Sequence, residues 1–231
     1  MREGTAPSTM QAALLVAKKD LAIEFRTRTA FLSALVFALL GVTIFYFAWD
    51  STAVAASDLA PGVLWVIFIF AALLGLQRSF GSELADRAID GLLGAPVSRE
   101  SIYLGKALAN LVFVCGVLAV TLPAVVLFYN LPLDRGVLAL SGIALLAAIG
   151  LVAVGTLFSA MAVNTRMAEL LLPMLSLPFF VPIVMAAAQS SARLMAGRPI
   201  AEAWPWLRIL VAFDIVFVVA CTLAFPFTLD E

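Results

Sequence analysis

Apolar residues along this chain occur in long runs rather than at the three-to-four-residue spacing of a helix with one buried face. A bilayer core is about 30 Å thick, so about 20 apolar residues in a helix span it. Lipid cannot hydrogen-bond an exposed backbone, so we expect each such run to be an α-helix. Six segments reach the required length, at about 29–48, 59–77, 103–129, 137–162, 168–188 and 207–227. The pattern therefore predicts an all-α, polytopic membrane protein with six transmembrane helices.

A shorter amphipathic pattern precedes the first span. Its apolar run "AALLVA" is too short for a secretion signal and is followed at once by the charged residues "KKD". We therefore expect this segment to be retained. Ser8 and Gln11 form the S-x-x-Q pattern of a capping box at a helix start. We predict an amphipathic helix within residues 1–28, lying at the membrane–headgroup boundary or, alternatively, exposed to solvent. The apolar residues that share one face of this helix are Leu14, Ala17, Leu21 and Phe25.

The distribution of basic residues predicts the orientation. Ten of the fourteen lysines and arginines belong to the side that holds both termini and the loops at 78–102 and 163–167. The positive-inside rule makes this side cytoplasmic. The one sizeable segment on the opposite, periplasmic side is then 189–206.

Composition argues against several classes of function. Charged residues make up 13% of the chain, against roughly 25% in soluble domains. The chain has no histidine, which removes the commonest metal ligand and any Ser-His-Asp or Cys-His nucleophile site. "SIYLGKA" departs from the phosphate-loop pattern at Glu100 and Ala107, so we interpret Lys106 as a basic anchor that snorkels to the cytoplasmic interface. We expect a non-enzymatic chain with no catalytic residues, no metal and no nucleic-acid partner.

A charged stretch at 82–101 interrupts the apolar pattern. Residues 82–93 place two neighbouring apolar rows on one helix, with the charged residues mainly off those rows. Gly94 and Pro96 are typical of a helix end, and Ser98 of the N-cap of the next helix. The loop at 78–102 is therefore predicted to contain an amphipathic helix, a tight break and the start of the third span. Its apolar row could fill a groove on a partner protein or lie flat on the membrane, and spacing alone leaves both open.

Two features inside the predicted spans are candidate functional sites. Asp214 lies in the sixth span, where a carboxyl group is costly; it is either functional or a structural group that is protonated or paired. Pro173, Pro178 and Pro182 share the fifth span, and each removes a backbone hydrogen bond. They could let the helix flex or line a path, or could simply be tolerated because neighbouring helices satisfy the freed carbonyls.

Three sequence segments resemble a known family. They are "LAPGVLWVIFIFAALLGLQRSF" at the second span, "ELADRAIDGLLGAPVSRESIYLGK" in the charged loop and "LLLPMLSLPFFVPI" in the fifth span. Together with the six-span layout, they resemble the haem exporter protein B (CcmB) family over nearly the whole chain. That family provides the membrane subunit of the ABC transporter of cytochrome c maturation in the bacterial inner membrane.

The resemblance implies a type-2 ABC exporter-like fold, in which the loop after the second span is a coupling helix that docks on an ATPase subunit. It implies haem as substrate and ATP on the partner, with no cofactor held by this chain. The implied partners are a CcmA-like ATPase, a CcmC-like haem-handling membrane protein and a small CcmD-like membrane protein, with self-association as a further expectation. It also implies short re-entrant helices within 189–206. The residues to which the coupling role falls are Glu83, Leu84, Arg87, Asp90, Gly91, Leu92, Leu93, Pro96 and Val97.

The leading hypothesis is therefore the permease subunit of an ABC-type haem exporter for c-type cytochrome biogenesis, with an N-terminal helix at 1–28 and a transmembrane domain at 29–227. Two alternatives stay open at this point. One is a type-2 ABC permease for another substrate, such as a lipid or a drug. The other is a membrane assembly factor that releases haem from a partner without transporting it.

Overall fold

The computed structural model describes residues 8–85, 97–131, 135–163 and 168–228. Within these ranges all regular structure is helical. The helices are α1 (Thr9–Thr27), α2 (Thr29–Ala48), α3 (Ala56–Ala85), α4 (Arg99–Phe128), α5 (Arg135–Val163), α6 (Ala168–Met195), a 3-10 helix (Ile200–Ala203) and α7 (Trp204–Thr228). Helices α2 to α7 are each long and apolar enough to cross a bilayer. The predicted fold class and its six spans are confirmed.

The ends of the spans differ from the prediction in two places. Helix α3 runs without a break to Ala85. The first residues of the helix predicted at 82–93 therefore continue the second span instead of starting a separate helix. Gln, Glu, Leu and Ala are good helix formers, so the change from apolar to polar composition marks a change of environment rather than a helix end. Helix α6 continues to Met195, and the segment to α7 is completed by a turn at Gly197 and the 3-10 helix.

The start of α4 agrees with the prediction. Ser98 is the N-cap, and its hydroxyl oxygen accepts a hydrogen bond from the backbone N–H of Ser101 at 3.3 Å. Glu100 lies in the first turn, where the helix dipole favours a negative charge.

Helix α3 lies at the centre of the bundle. Two thirds of the residues in its span are buried, against about a fifth in α2 and in α7. Trp65 is buried there, and its indole N–H donates to the Ser191 hydroxyl of α6 at 3.1 Å. Ser159 of α5 donates to the backbone carbonyl of Leu76 at 2.7 Å. These bonds satisfy polar groups inside the membrane domain and join α3 to two of its neighbours.

Helix α1 begins with the predicted capping box: the Ser8 hydroxyl accepts from the Gln11 backbone, and the Gln11 side chain accepts from the Ser8 backbone. Its buried face, however, is made of small residues that pack on α4. These residues are Ala12, Ala13, Val16 and Ala17. The spacing of the large apolar side chains of α1 does not predict this face.

The predicted apolar row of α1 largely faces away from the protein. Leu14 and Phe25 are 51% and 69% exposed, whereas Ala17 belongs to the buried face. Helix α1 therefore has one surface on α4 and an adjacent apolar row that the described residues leave uncovered. Contact of that row with the headgroup boundary stays a prediction.

Candidate functional site

A group of hydrogen-bonded polar side chains crosses four helices on the side of the bundle where α1 lies. We call it the inner polar cluster. It consists of Asp20 of α1, Ser79 of α3, Lys106 and Asn110 of α4, and Thr156 of α5. Polar groups among apolar helices are costly unless they are paired, so this arrangement is a specific structural feature.

Lys106 occupies the centre of the inner polar cluster and is 0% exposed. Its Nζ lies 3.1 Å from Oδ2 of Asp20 and donates to the backbone carbonyl of Ser79 at 2.7 Å. The interpretation of Lys106 as a snorkelling anchor is therefore wrong. Helix α1 covers the route to the interface, and it provides a carboxylate that pairs with the ammonium instead.

Close packing of α1 on α4 brings the two charges together. Gly105 faces α1, and a Cβ atom at this position would lie 2.6 Å from the backbone oxygen of Ala13. Only a residue without a side chain lets the two backbones approach this closely. Since Lys106 follows directly, the glycine also sets the distance between the ammonium and Asp20.

Asn110 extends the cluster by one turn of α4. Its amide nitrogen donates to the Ser79 hydroxyl at 3.0 Å and to the Thr156 hydroxyl at 2.9 Å. Both amide protons are thus used, and α3, α4 and α5 are joined at one level. A cavity of about 80 Å³, lined in part by Asp20, Ser79 and Asn110, adjoins these groups. With these polar groups in its lining, it is roomy enough to hold water.

The inner polar cluster lies at the base of the predicted coupling loop. Ser79 belongs to the last two turns of α3, and Lys106 to the second turn of α4, so the two helices that flank the loop are joined here. Arg99, the first residue of α4, also donates to the carbonyl of Pro226 in α7 at 2.9 Å. A displacement of the loop would therefore act on α1, α3, α4 and α7 together.

The predicted docking residues belong to the end of α3, the start of α4 and the segment between them. Glu83 and Leu84 are in the last turn of α3, but their side chains are outside what the structure describes. Val97 is partly buried against the core of the bundle, so it supports the start of α4. The other predicted docking residues lie outside the described residues; they are Arg87, Asp90, Gly91, Leu92, Leu93 and Pro96.

Asp214 lies at the junction of α5, α6 and α7 and is only 6% exposed. Neither carboxyl oxygen has a hydrogen-bond partner among the described residues. One oxygen is directed at Gly150 of α5, where a side chain would collide with it, and Ile183 of α6 is a further neighbour. The structure thus places the carboxyl group in an apolar contact between three spans, which is the costly situation that made Asp214 a candidate.

The three candidate prolines do not break their helix. Helix α6 is continuous from Ala168 to Met195. Pro178 is exposed, whereas Pro173 and Pro182 are partly buried. The prolines therefore lie at the outer side or the edge of the bundle.

Two further observations concern the ligands that the described part of the chain could bind. Among them, His, Cys, Asp and Glu side chains do not gather in groups of three or more that could bind a metal. An apolar cavity of about 470 Å³ lies between α1, α2 and α4, which is within the usual size range of small-molecule sites. The hydrogen bonds of the inner polar cluster join α1, α3, α4 and α5.

These features define a class: a six-span helical membrane protein with a charged loop between its second and third spans and a buried ion pair at the base of that loop. The family described as "CcmB protein" matches residues 11–231, and the chain belongs to this family. The chain is similar to Heme exporter protein B of Rhodobacter capsulatus, with 31% identity over 79% of this chain and 83% of the relative. It is likewise similar to Heme exporter protein B of Paracoccus denitrificans (32%, covering 80% and 84%) and of Pseudomonas aeruginosa (26%, covering 86% and 88%). The resemblance found in the sequence is confirmed.

Proposed function

We propose that this chain is the membrane permease subunit of an ABC-type haem exporter complex required for c-type cytochrome biogenesis. The observation that carries the proposal is the CcmB family match over nearly the whole chain, with relatives that bear the name Heme exporter protein B. The six apolar spans agree with a permease. This combination favours haem over a lipid or a drug as the transported substrate.

ATP hydrolysis in this proposal belongs to a partner subunit of the CcmA type, and this chain is not catalytic. CcmC-like and CcmD-like membrane proteins complete the complex, which lies in the bacterial inner membrane. Both termini of this chain face the cytoplasm, because most of the basic residues lie on that side of the spans. Haem is a substrate rather than a resident cofactor.

The coupling step is assigned to the loop between α3 and α4. Closure of the ATPase subunits displaces this loop, and the inner polar cluster carries the displacement into the spans. The support for this step is geometric: Lys106 bonds to Ser79 on the other flanking helix and to Asp20 of α1. A flexible connection at this point would absorb the movement, whereas a hydrogen-bonded one transmits it.

Asp214 is proposed as a functional group of the spans rather than of the loop. Asp214 contacts Gly150 of α5, beside which Ile183 of α6 also lies, so a relative movement of these helices changes its surroundings. Pro173, Pro178 and Pro182 lie in one of the three helices and are proposed to let α6 bend during that movement.

Reconstitution tests the proposal. The chain is purified together with its ATPase subunit and placed in vesicles, and ATP hydrolysis is measured with and without haem. We expect haem to stimulate hydrolysis, and a Lys106→Met complex to show basal hydrolysis with weaker stimulation. Stimulation by lipid-like or drug-like compounds with no response to haem would contradict the assignment.

A further inference from the structure

The cavity of about 470 Å³ is a groove between the surface helix α1, the first span α2 and the third span α4. We call it the elbow groove, since α1 and α2 meet at its edge. Its apolar lining residues are Leu21, Phe25, Phe31, Leu32, Val112 and Phe113. Several of them are exposed on the outside of the bundle, so the groove faces the surrounding membrane rather than an internal path.

Two charged residues also line the elbow groove, and they differ in how they are engaged. Oε1 of Glu24 accepts the backbone N–H of Phe31 at 2.8 Å, so this carboxylate is used at the start of α2. The positive end of the helix dipole offsets its charge there. Arg28 is exposed, and its Nε donates to the carbonyl of Phe25 at 3.2 Å. This bond holds the guanidinium at the groove.

The backbone of Arg28 is in the left-handed region, with φ 56° and ψ 2°. This conformation is uncommon for a residue other than glycine, asparagine or aspartate. It produces the turn between α1 and α2 that opens the groove. Glycine would suit the backbone better, so the strained arginine points to a use for its side chain.

The other charged side chains of α1, apart from Glu24, do not line the groove. Lys18 and Arg26 of α1 are exposed, whereas Asp20 is already engaged by Lys19 and Lys106 at 3.1 Å each. The groove thus combines an apolar trough at membrane depth with a basic residue at the level of the surface helix. That combination is complementary to a lipid with acyl chains and a negatively charged headgroup.

We propose that the elbow groove binds an anionic phospholipid, with an acyl chain along the apolar lining and its phosphate at Arg28. The lipid comes from the leaflet on which α1 lies, which the proposed orientation makes the cytoplasmic one. A zwitterionic lipid fits the trough but gains less from Arg28, because its headgroup carries no net charge. The bound lipid fills the wedge between α1, α2 and α4 and holds α1 against the spans.

Native mass spectrometry of the full chain in detergent tests the charge requirement. The chain is titrated with phosphatidylglycerol or with phosphatidylcholine of the same acyl length. One basic residue near an anionic headgroup changes affinity by about fivefold, so we expect phosphatidylglycerol to be retained about fivefold better. Arg28→Gly removes the charge while suiting the left-handed backbone, and it should abolish this preference without lowering the melting temperature.

Matched variants separate the elbow groove from other membrane contacts. Arg26→Gln removes a neighbouring charge that does not line the groove, and it should leave the preference intact. Val112→Trp fills the groove and should remove the retained phosphatidylglycerol. Val120→Trp, at an exposed position on the same helix outside the groove, should not. Equal retention of both lipids by the native chain, or unchanged retention by Arg28→Gly or Val112→Trp, would overturn the proposal.

Discussion

The Asp20–Lys106 pair provides the sharpest test of the structure, because its two partners are not equivalent. Lys106 is fully buried, whereas the Asp20 side chain is 18% exposed and has Lys19 as a second partner at 3.1 Å. Asp20→Asn leaves a buried ammonium without its carboxylate. Breaking a buried ion pair in this way costs about 3–5 kcal/mol. Lys106→Met leaves a carboxylate that keeps water and Lys19, and we expect a cost of only about 1–2 kcal/mol.

The double variant Asp20→Asn/Lys106→Met distinguishes pairing from packing. With both charges gone, an apolar side chain of similar length fills the site, which is often close to neutral. For a chain of this size, about 1 kcal/mol corresponds to about 2–4 °C in melting temperature. We expect Asp20→Asn to lower the melting temperature in detergent by about 6–20 °C, Lys106→Met by less, and the double variant by less than Asp20→Asn alone.

Thermal unfolding of the purified variants, followed by a fluorescent reporter of protein unfolding, measures this order. Lys18→Met is the matched control, since Lys18 is an exposed lysine on α1, and it should leave the melting temperature within about 2 °C. If Asp20→Asn is as mild as the control, or if the double variant shows the sum of the two single effects, the buried pair does not stabilise the protein as argued.

Three further predictions concern the proposed function. Leu92→Asp, in the predicted apolar row of residues 82–93, should release the ATPase subunit from the detergent-solubilised complex, since loss of one buried anchor costs roughly thirtyfold in affinity. Asp86→Asn, on the charged side of the same predicted helix, should do much less, and normal retention by Leu92→Asp in a pull-down would count against docking through the apolar row. Asp214→Asn should reduce cytochrome c maturation while expression and ATPase retention stay normal; loss of assembly would instead assign Asp214 a structural role. Cysteines at Arg87 and Gly197 should react with a membrane-impermeant reagent from opposite sides, and labelling of both from the periplasm would rule out the six-span topology.

The sequence predicted those parts of the fold that depend on local pattern. Span length is set by bilayer thickness, so runs of apolar residues located α2 to α7 without knowledge of their neighbours. The capping box at Ser8 and the N-cap at Ser98 are also local, and both are present. The extension of α3 to Ala85 was missed because polarity was interpreted as a helix boundary.

The inner polar cluster could not be predicted, because its partners are far apart in the chain. Asp20 and Lys106 are separated by 86 positions, and nothing near Lys106 indicates which carboxylate will meet it. A local sign did exist in the "GK" dipeptide, since Gly105 allows a close helix contact beside a lysine. The alanine face of α1 was a second sign, because small residues in a membrane-associated helix favour close packing.

The 86-residue separation of Asp20 from Lys106 has a consequence for biosynthesis. Ribosomes add about 5–20 residues per second, so Asp20 is synthesised about 4–17 s before Lys106. During that interval Ala13 and its neighbours have no α4 to pack on, and Asp20 is neutralised by Lys19 alone. When α4 enters the membrane, its lysine is stabilised only after α1 has docked. Completion of the N-terminal part of the protein is thus delayed until half of the spans have been synthesised.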